Sequence, residues 1–264
     1  MLTEAICAGL LMSIACGIMG TYVVLKRMSY LAESISHAAF GGIGISLYFN
    51  FPPLLGAGAV GLISAIIMGF VRFSNAERDD TLIGAIWALG MAIGILFSYL
   101  TPGYIPDLFT YLFGNILLMS TSDFLLISGL NIAILLCVWR YFHAFQLITC
   151  DELYATVINL PVRRLTIALL SLLSITVIIL IQAVGIILVI TLLTLPAASA
   201  EKWSQKLSAV MGIAILFGMI STTFGILLSY ILNLPSGPLI IFTCFFIFII
   251  SIFWEKTSHR FKRT

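Results

Sequence analysis

Nine apolar runs dominate the chain, at roughly 5–25, 35–50, 54–71, 82–100, 123–139, 165–182, 185–200, 208–232 and 238–254. A helix that crosses a bilayer needs about 17–25 mostly apolar residues, because each residue advances about 1.5 Å. Most of the runs meet that length. The second and seventh are shorter, at 16 residues each. The stretch 165–200 is too long for one span and barely enough for two, and Gln182 and Gly185 near its middle favour a tight hairpin. Segment 108–119 is apolar but short, which suits an interfacial or re-entrant helix. In lipid every backbone polar group must be satisfied within the chain, and long helices do this. The expected fold is therefore all-α: a polytopic transmembrane helical bundle of eight or nine spans, one membrane domain over residues 1–264.

Charge supports this reading. Only 9% of residues are charged and 61% are hydrophobic, where a soluble domain carries about 25% charged residues. Such a chain cannot cover a globular surface in water, which excludes a soluble enzyme and a disordered chain. The net charge of +2 gives no footprint for nucleic acid. Cytoplasmic loops of membrane proteins are enriched in Lys and Arg. With nine spans and the N-terminus outside, all 13 Lys and Arg residues fall on the cytoplasmic side, and the other side keeps Glu4, Asp107 and Asp123. Eight spans would place the N-terminus inside. The first run is long enough to span and lacks a basic leader, so no cleavable signal peptide is expected.

The chemistry-bearing motifs are few. The chain has no P-loop, no GxGxxG before a helix, no HExxH and no GxSxG. Any energy for work in the membrane must then come from an ion gradient or a partner. The five cysteines form no CxxC pair, and the four in or beside apolar runs read as small buried hydrophobes.

Glu33 and His37 stand four residues apart, which puts a carboxylate and an imidazole on one helix face, followed by Gly41 and Gly44. The glycines would let another helix or a permeating ion come close. Oxygen plus imidazole suits a borderline divalent ion such as Zn²⁺ or Mn²⁺, and ionisable groups within a span are functional candidates. The other reading has Glu33 at the membrane edge, paired with Lys26 or Arg27, and His37 as a packing residue. Two ligands do not complete a zinc site, and Asp107, Asn115 and Asp123 are further candidate donors.

In the longest connection, 140–164, Thr149 is placed to cap a short helix with Asp151 and Glu152 in its first turn. Leu153, Val157 and Leu160 then share one face, and Pro161 ends the helix. Such a helix, near 149–161, either docks a partner or merely joins two spans. Pro196, followed by Ala197, Ala198, Ser199 and Ala200, suits a moving, pore-lining or closely packed segment.

Taken together, four pieces in this order resemble the permease subunit of metal-uptake ABC transporters, which import zinc, manganese or iron. They are Lys26-Arg27-Met28-Ser29-Tyr30 with Glu33 and Ser36-His37-Ala38; Thr110-Tyr111-Leu112-Phe113-Gly114-Asn115; Asp151-Glu152; and Leu195-Pro196-Ala197-Ala198-Ser199-Ala200. The resemblance covers nearly the whole length and is nearest the zinc-uptake permease of Gram-negative bacteria. It implies a homodimer in the inner membrane, two cytosolic ATPase subunits, a periplasmic metal-binding protein and a transported divalent metal, zinc first, with no permanently bound cofactor. It implies that Glu33 and His37 are ligands on the path and that Asp151–Leu160, with Glu152, Leu153 and Val157, couples to the ATPase. The family usually has Asp where this chain has Glu33. A manganese or iron importer is the alternative, then a proton-coupled secondary transporter; an intramembrane metalloenzyme built on Glu33 and His37 lacks a third ligand.

Overall fold

The computed structural model describes residues 2–73, 79–102, 114, 116 and 119–261. Among the described residues the helices are α1 (Leu2–Leu25), α2 (Ser29–Tyr48), α3 (Pro53–Val71), α4 (Asp79–Leu100), α5 (Thr121–Cys150), α6 (Glu152–Val157), α7 (Val162–Val184), α8 (Ile186–Glu201), α9 (Leu207–Leu232) and α10 (Ser236–Phe261). Nine of them match the nine apolar runs. Seven are long and apolar enough to cross a membrane, and the other two are α2, of 20 residues, and α8, of 16. The second run was expected from residue 35, yet α2 starts at Ser29. Polar side chains such as Glu33 and Ser34 lower the local hydropathy without interrupting the backbone ladder, so Glu33 and His37 both lie within the helix body.

Four helices stop by one device. A residue in the left-handed region follows the helix, and the next N–H reaches back five residues. Arg27 (φ 54°), Asn50 (φ 57°), Asn159 (φ 59°) and Asn233 (φ 53°) take the left-handed position. The closing bonds run from Met28 N–H to the Val23 carbonyl, Phe51 to Ser46, Leu160 to Ala155 and Leu234 to Ser229. Asparagine tolerates positive φ better than most residues, which accounts for three of the four. The start of α3 is set by Pro53, whose missing N–H costs nothing in a first turn. The start of α5 is a capping box between Ser120 and Asp123.

The hairpin expected at 182–185 is a one-residue joint. Gln182 lies within α7, and Gly185 alone separates α7 from α8, at φ 78° and ψ 165°. Side chains rarely adopt that conformation. The two arms pack on different partners, α7 on α3 and α5, α8 on α1, α9 and α10. Gly114, the glycine of the Tyr-Leu-Phe-Gly piece, sits at φ 61° with its backbone against Val184 and Gly185, so a Cβ there would collide with the joint. The rest of segment 108–119 lies outside the described residues apart from Ile116, which is buried, and Met119.

The connection 140–164 is mostly helical. α5 runs on to Cys150 with a kink at Tyr141 (φ −112°, ψ 15°). Beyond the kink Phe145 is buried, its ring edge-on to Tyr22 of α1 at 5.7 Å. Proline does not break α8: Pro196 is buried inside a continuous helix, and Ala197 and Ala200 after it pack against Val210 and Ala214 of α9. Polar contacts tie spans together, as Asn131 of α5 donates to the Leu11 carbonyl of α1 (3.0 Å) and Ser13 of α1 meets Thr222 of α9 (3.3 Å). Cys16 and Cys244 are buried and Cys137 half-buried, while Cys7 is exposed, unlike the buried hydrophobe expected of it, and Cys150 is exposed as well.

Contacts place several basic residues at one end of the bundle. Lys26 reaches Thr166 near the start of α7, Arg163 lies over Phe70 at the end of α3 (4.7 Å), and Lys202 pairs with Glu255 (2.9 Å). Asp123 lies at the far end, held by Gln182 (3.2 Å), 16 residues along α7 from Thr166 and so about 24 Å away.

Candidate functional site

The stripe Glu33, His37, Gly41 and Gly44 faces α4. A Cβ on Gly41 would lie 2.8 Å from the Gly90 carbonyl oxygen, and one on Gly44 would lie 2.5 Å from that of Gly94. Gly41 and Gly44 therefore let a helix approach, with Gly90 and Gly94 answering them from the other side. The closeness holds α4 against His37, whose ring meets Trp87 edge-on at 5.4 Å. His37 Nδ1 is buried with no hydrogen-bond partner. One turn nearer the basic end, Glu33 is exposed and lines an open cleft of about 470 Å³ with Tyr30, Ser34, Ile83, Gly84 and Trp87.

Lys26 does not pair with Glu33. Its ammonium is 3.6 Å from Glu152 and donates to Thr166 at 3.4 Å. Burial lowers the pKa of this ammonium, Glu152 beside it pushes the other way, and Arg72 adds to the lowering. Nor does Asp123 join the cleft: its carboxylate caps α5 and accepts from Gln182 at the opposite end. Asp107 and Asn115 lie outside the described residues. Among the described residues no group of three or more His, Cys, Asp or Glu side chains is placed to hold a metal. One copy of the chain thus carries one exposed carboxylate and one buried imidazole along this stripe.

The short helix forms, with different details from those expected. Asp151, not Thr149, is the cap, accepting from the Tyr154 N–H at 2.8 Å, while Thr149 bonds back to Phe145 within α5. Asn159, not Pro161, ends it, and Pro161 precedes α7. Leu153 and Val157 stand 82% and 77% exposed, whereas Leu160 packs half-buried on the core rather than sharing their face. Ala155 is fully buried beneath the helix and Glu152 turns inward to Lys26. An apolar pair pointing outward at the basic end is a surface that a partner can cover.

Sequence reasoning missed Trp87, Gly84 and Tyr30 as neighbours of Glu33 and His37, and missed Lys26 as the partner of Glu152. The spacing of Gly90 and Gly94, close to that of Gly41 and Gly44, was a readable sign that α4 is the neighbour of α2. Nothing local in the sequence joins Lys26 to a residue 126 positions away.

The model of the ABC 3 transport family matches residues 1–255. The chain is similar to an uncharacterized membrane protein of Synechocystis, with 41% identity over 96% of this chain and 90% of that one. It is also similar to the manganese transport system membrane protein MntC of Listeria innocua, with 32% identity over 99% and 94%. Among solved structures it resembles PsaBC from Streptococcus pneumoniae in complex with Fab, at TM-score 0.84 and 30% identity, covering 94% of this chain and 90% of that chain. The helices, the segregated basic residues and these matches place a multi-pass protein in the plasma membrane, and the chain belongs to the ABC 3 transport family.

Proposed function

We propose that the chain is the permease of an ATP-driven importer of a divalent metal, itself without ATPase activity, and that it works as a homodimer in which Glu33 and His37 of each copy ligate the moving ion. The observation that carries this is the incomplete pair on α2: an exposed carboxylate within a span, beside a buried imidazole nitrogen that lacks a partner. A charge facing lipid is costly. A second copy over the cleft would shield it. The stripe Gly84, Ala88 and Ala92 on α4 is exposed, small and spaced by four, as helix contacts in membranes require. Two copies supply two carboxylates and two imidazoles.

Those four side chains suit either candidate metal. Bound through one oxygen each, the carboxylates complete the four-coordinate set that zinc takes. Bound through both oxygens, they raise the donors to six, which suits manganese. The sequence alone pointed to zinc. The relative named a manganese transport protein supports the manganese alternative better, so manganese is the leading cargo and zinc the second. The exposed pair Leu153 and Val157 is the docking surface for cytosolic ATPase subunits, and the opposite face receives metal from a binding protein.

The test is uptake of radioactive manganese and zinc in competition, by proteoliposomes holding the chain with its ATPase and binding protein. ATP dependence with manganese preferred is expected. His37→Ala and Glu33→Ala should each abolish most uptake, and the double should cost little more. Uptake driven by a proton gradient without ATP would overturn the importer class; full uptake by His37→Ala at normal expression would overturn the site.

A further inference from the structure

We propose that Lys26 is a positioning residue for transport: its ammonium, held between Glu152 of α6 and Thr166 of α7, is the strut through which α6 moves the α1–α2 corner and the stripe of Glu33 and His37. The inference rests on the reading of α6 as the docking helix. α6 has six residues, of which Ala155 alone is buried. Ala155 is buried beneath it, and among the described residues the Lys26–Glu152 pair is the ion pair that ties it down.

The receiving end is stiff. The Lys26 side chain is 2% exposed, so it has no room to swing out when pushed. It stands one residue before Arg27, whose left-handed conformation closes the corner, and two before fully buried Met28. The Met28 N–H bonds back to Val23 of α1 (2.7 Å), and the Met28 carbonyl accepts from Leu31 and Ala32 of α2. A displacement of Lys26 therefore shifts the end of α1 and the start of α2 together. Glu33 lies seven residues beyond Lys26, within the first two turns of α2. An unbroken chain of contacts thus runs from the exposed Leu153 and Val157, through Glu152 and Lys26, to the cation stripe. The glycine contacts of Gly41 and Gly44 pass the same motion to α4.

The test measures manganese uptake and ATP hydrolysis together in proteoliposomes of the whole complex. Lys26→Met keeps an unbranched stem in the buried socket and removes the charge. Glu152→Gln keeps size at a partly exposed position, so it preserves the test if Lys26→Met fails to fold. Each variant should keep its ATPase subunits and its hydrolysis without loaded binding protein. Each should lose about tenfold in metal moved per ATP, equivalent to about 1.4 kcal/mol. The double variant should be no worse than either single, because the two groups act as one unit. Lys26→Arg should keep most of the coupling. Normal metal per ATP in Lys26→Met or Glu152→Gln, or losses that multiply in the double, would overturn the proposal. Loss of the ATPase from the complex would overturn it too, by making the pair a docking contact. Failure of the wild-type complex to require ATP would instead count against the importer reading.

Discussion

Replacing Gly90 with alanine tests whether the glycine contacts between α2 and α4 shape the stripe of Glu33 and His37. A Cβ at Gly90 would lie 2.6 Å from the His37 carbonyl oxygen, 2.7 Å from Ala38 Cα and 2.8 Å from Ala38 N. All three are backbone atoms within a helix, so none can rotate away. Ordinary contacts between carbon atoms are about 3.5–4.0 Å, so the helices must separate by about 1 Å at His37. Such overpacking typically costs about 1–3 kcal/mol. Against that, alanine within a helix is favoured over glycine by about 0.5–1 kcal/mol. Gly129→Ala is the matched control: its Cβ meets nothing within 4 Å, so it has the gain without the clash. The two variants should then differ by the clash alone, about 1–3 kcal/mol. Unfolding of each purified variant in the same detergent gives the comparison, with Gly129→Ala at or above wild type and Gly90→Ala below it. Uptake should follow, because Gly90 presses on the backbone of His37 itself. A Gly90→Ala protein as stable as Gly129→Ala, with full uptake, would refute the reasoning.

Three further outcomes follow from the same structure. Leu153→Glu places a charge on the exposed face of α6 and should strip the ATPase from the purified complex while the chain stays folded in the membrane; co-purification at normal stoichiometry would oppose this. Gly114→Ala introduces a Cβ at φ 61° directly against Val184 and should destabilise the chain more than any other glycine-to-alanine change discussed here, read as lost expression or a lowered unfolding midpoint. Neutral imidazole ligates a metal and imidazolium does not, so uptake through His37 should fall as pH drops into the acid range in which the imidazole takes up a proton. A flat uptake profile across that range would count against imidazole ligation.

Much of the architecture was legible in the chain because a bilayer leaves few options. Run lengths suffice for an all-helical bundle, since long helices satisfy every backbone polar group within hydrocarbon. The i, i+4 spacing likewise put Glu33 and His37 on one face, because helical geometry depends on no neighbour. Helix ends were less readable. α2 begins before its apolar run, and α5 continues through what looked like a loop, because hydrogen bonding outlasts hydropathy at both places. Asn159 and Asp151 close and cap α6 where Pro161 and Thr149 had been expected, since the left-handed turn falls at Asn159 and the Thr149 hydroxyl is already bonded to Phe145.

What the sequence by itself determined is the set of elements and the residue types available for chemistry. Those are local properties, carried by run length, charge and helical period. Only the tertiary structure decided that Gly41 and Gly44 receive Gly90 and Gly94, that Asp123 lies too far away to join Glu33, and that Lys26 pairs with Glu152 rather than with the acid seven residues along. Such pairings join positions far apart in the chain, and their energy comes from backbone approach and from shielding a charge, neither of which exists until the helices pack.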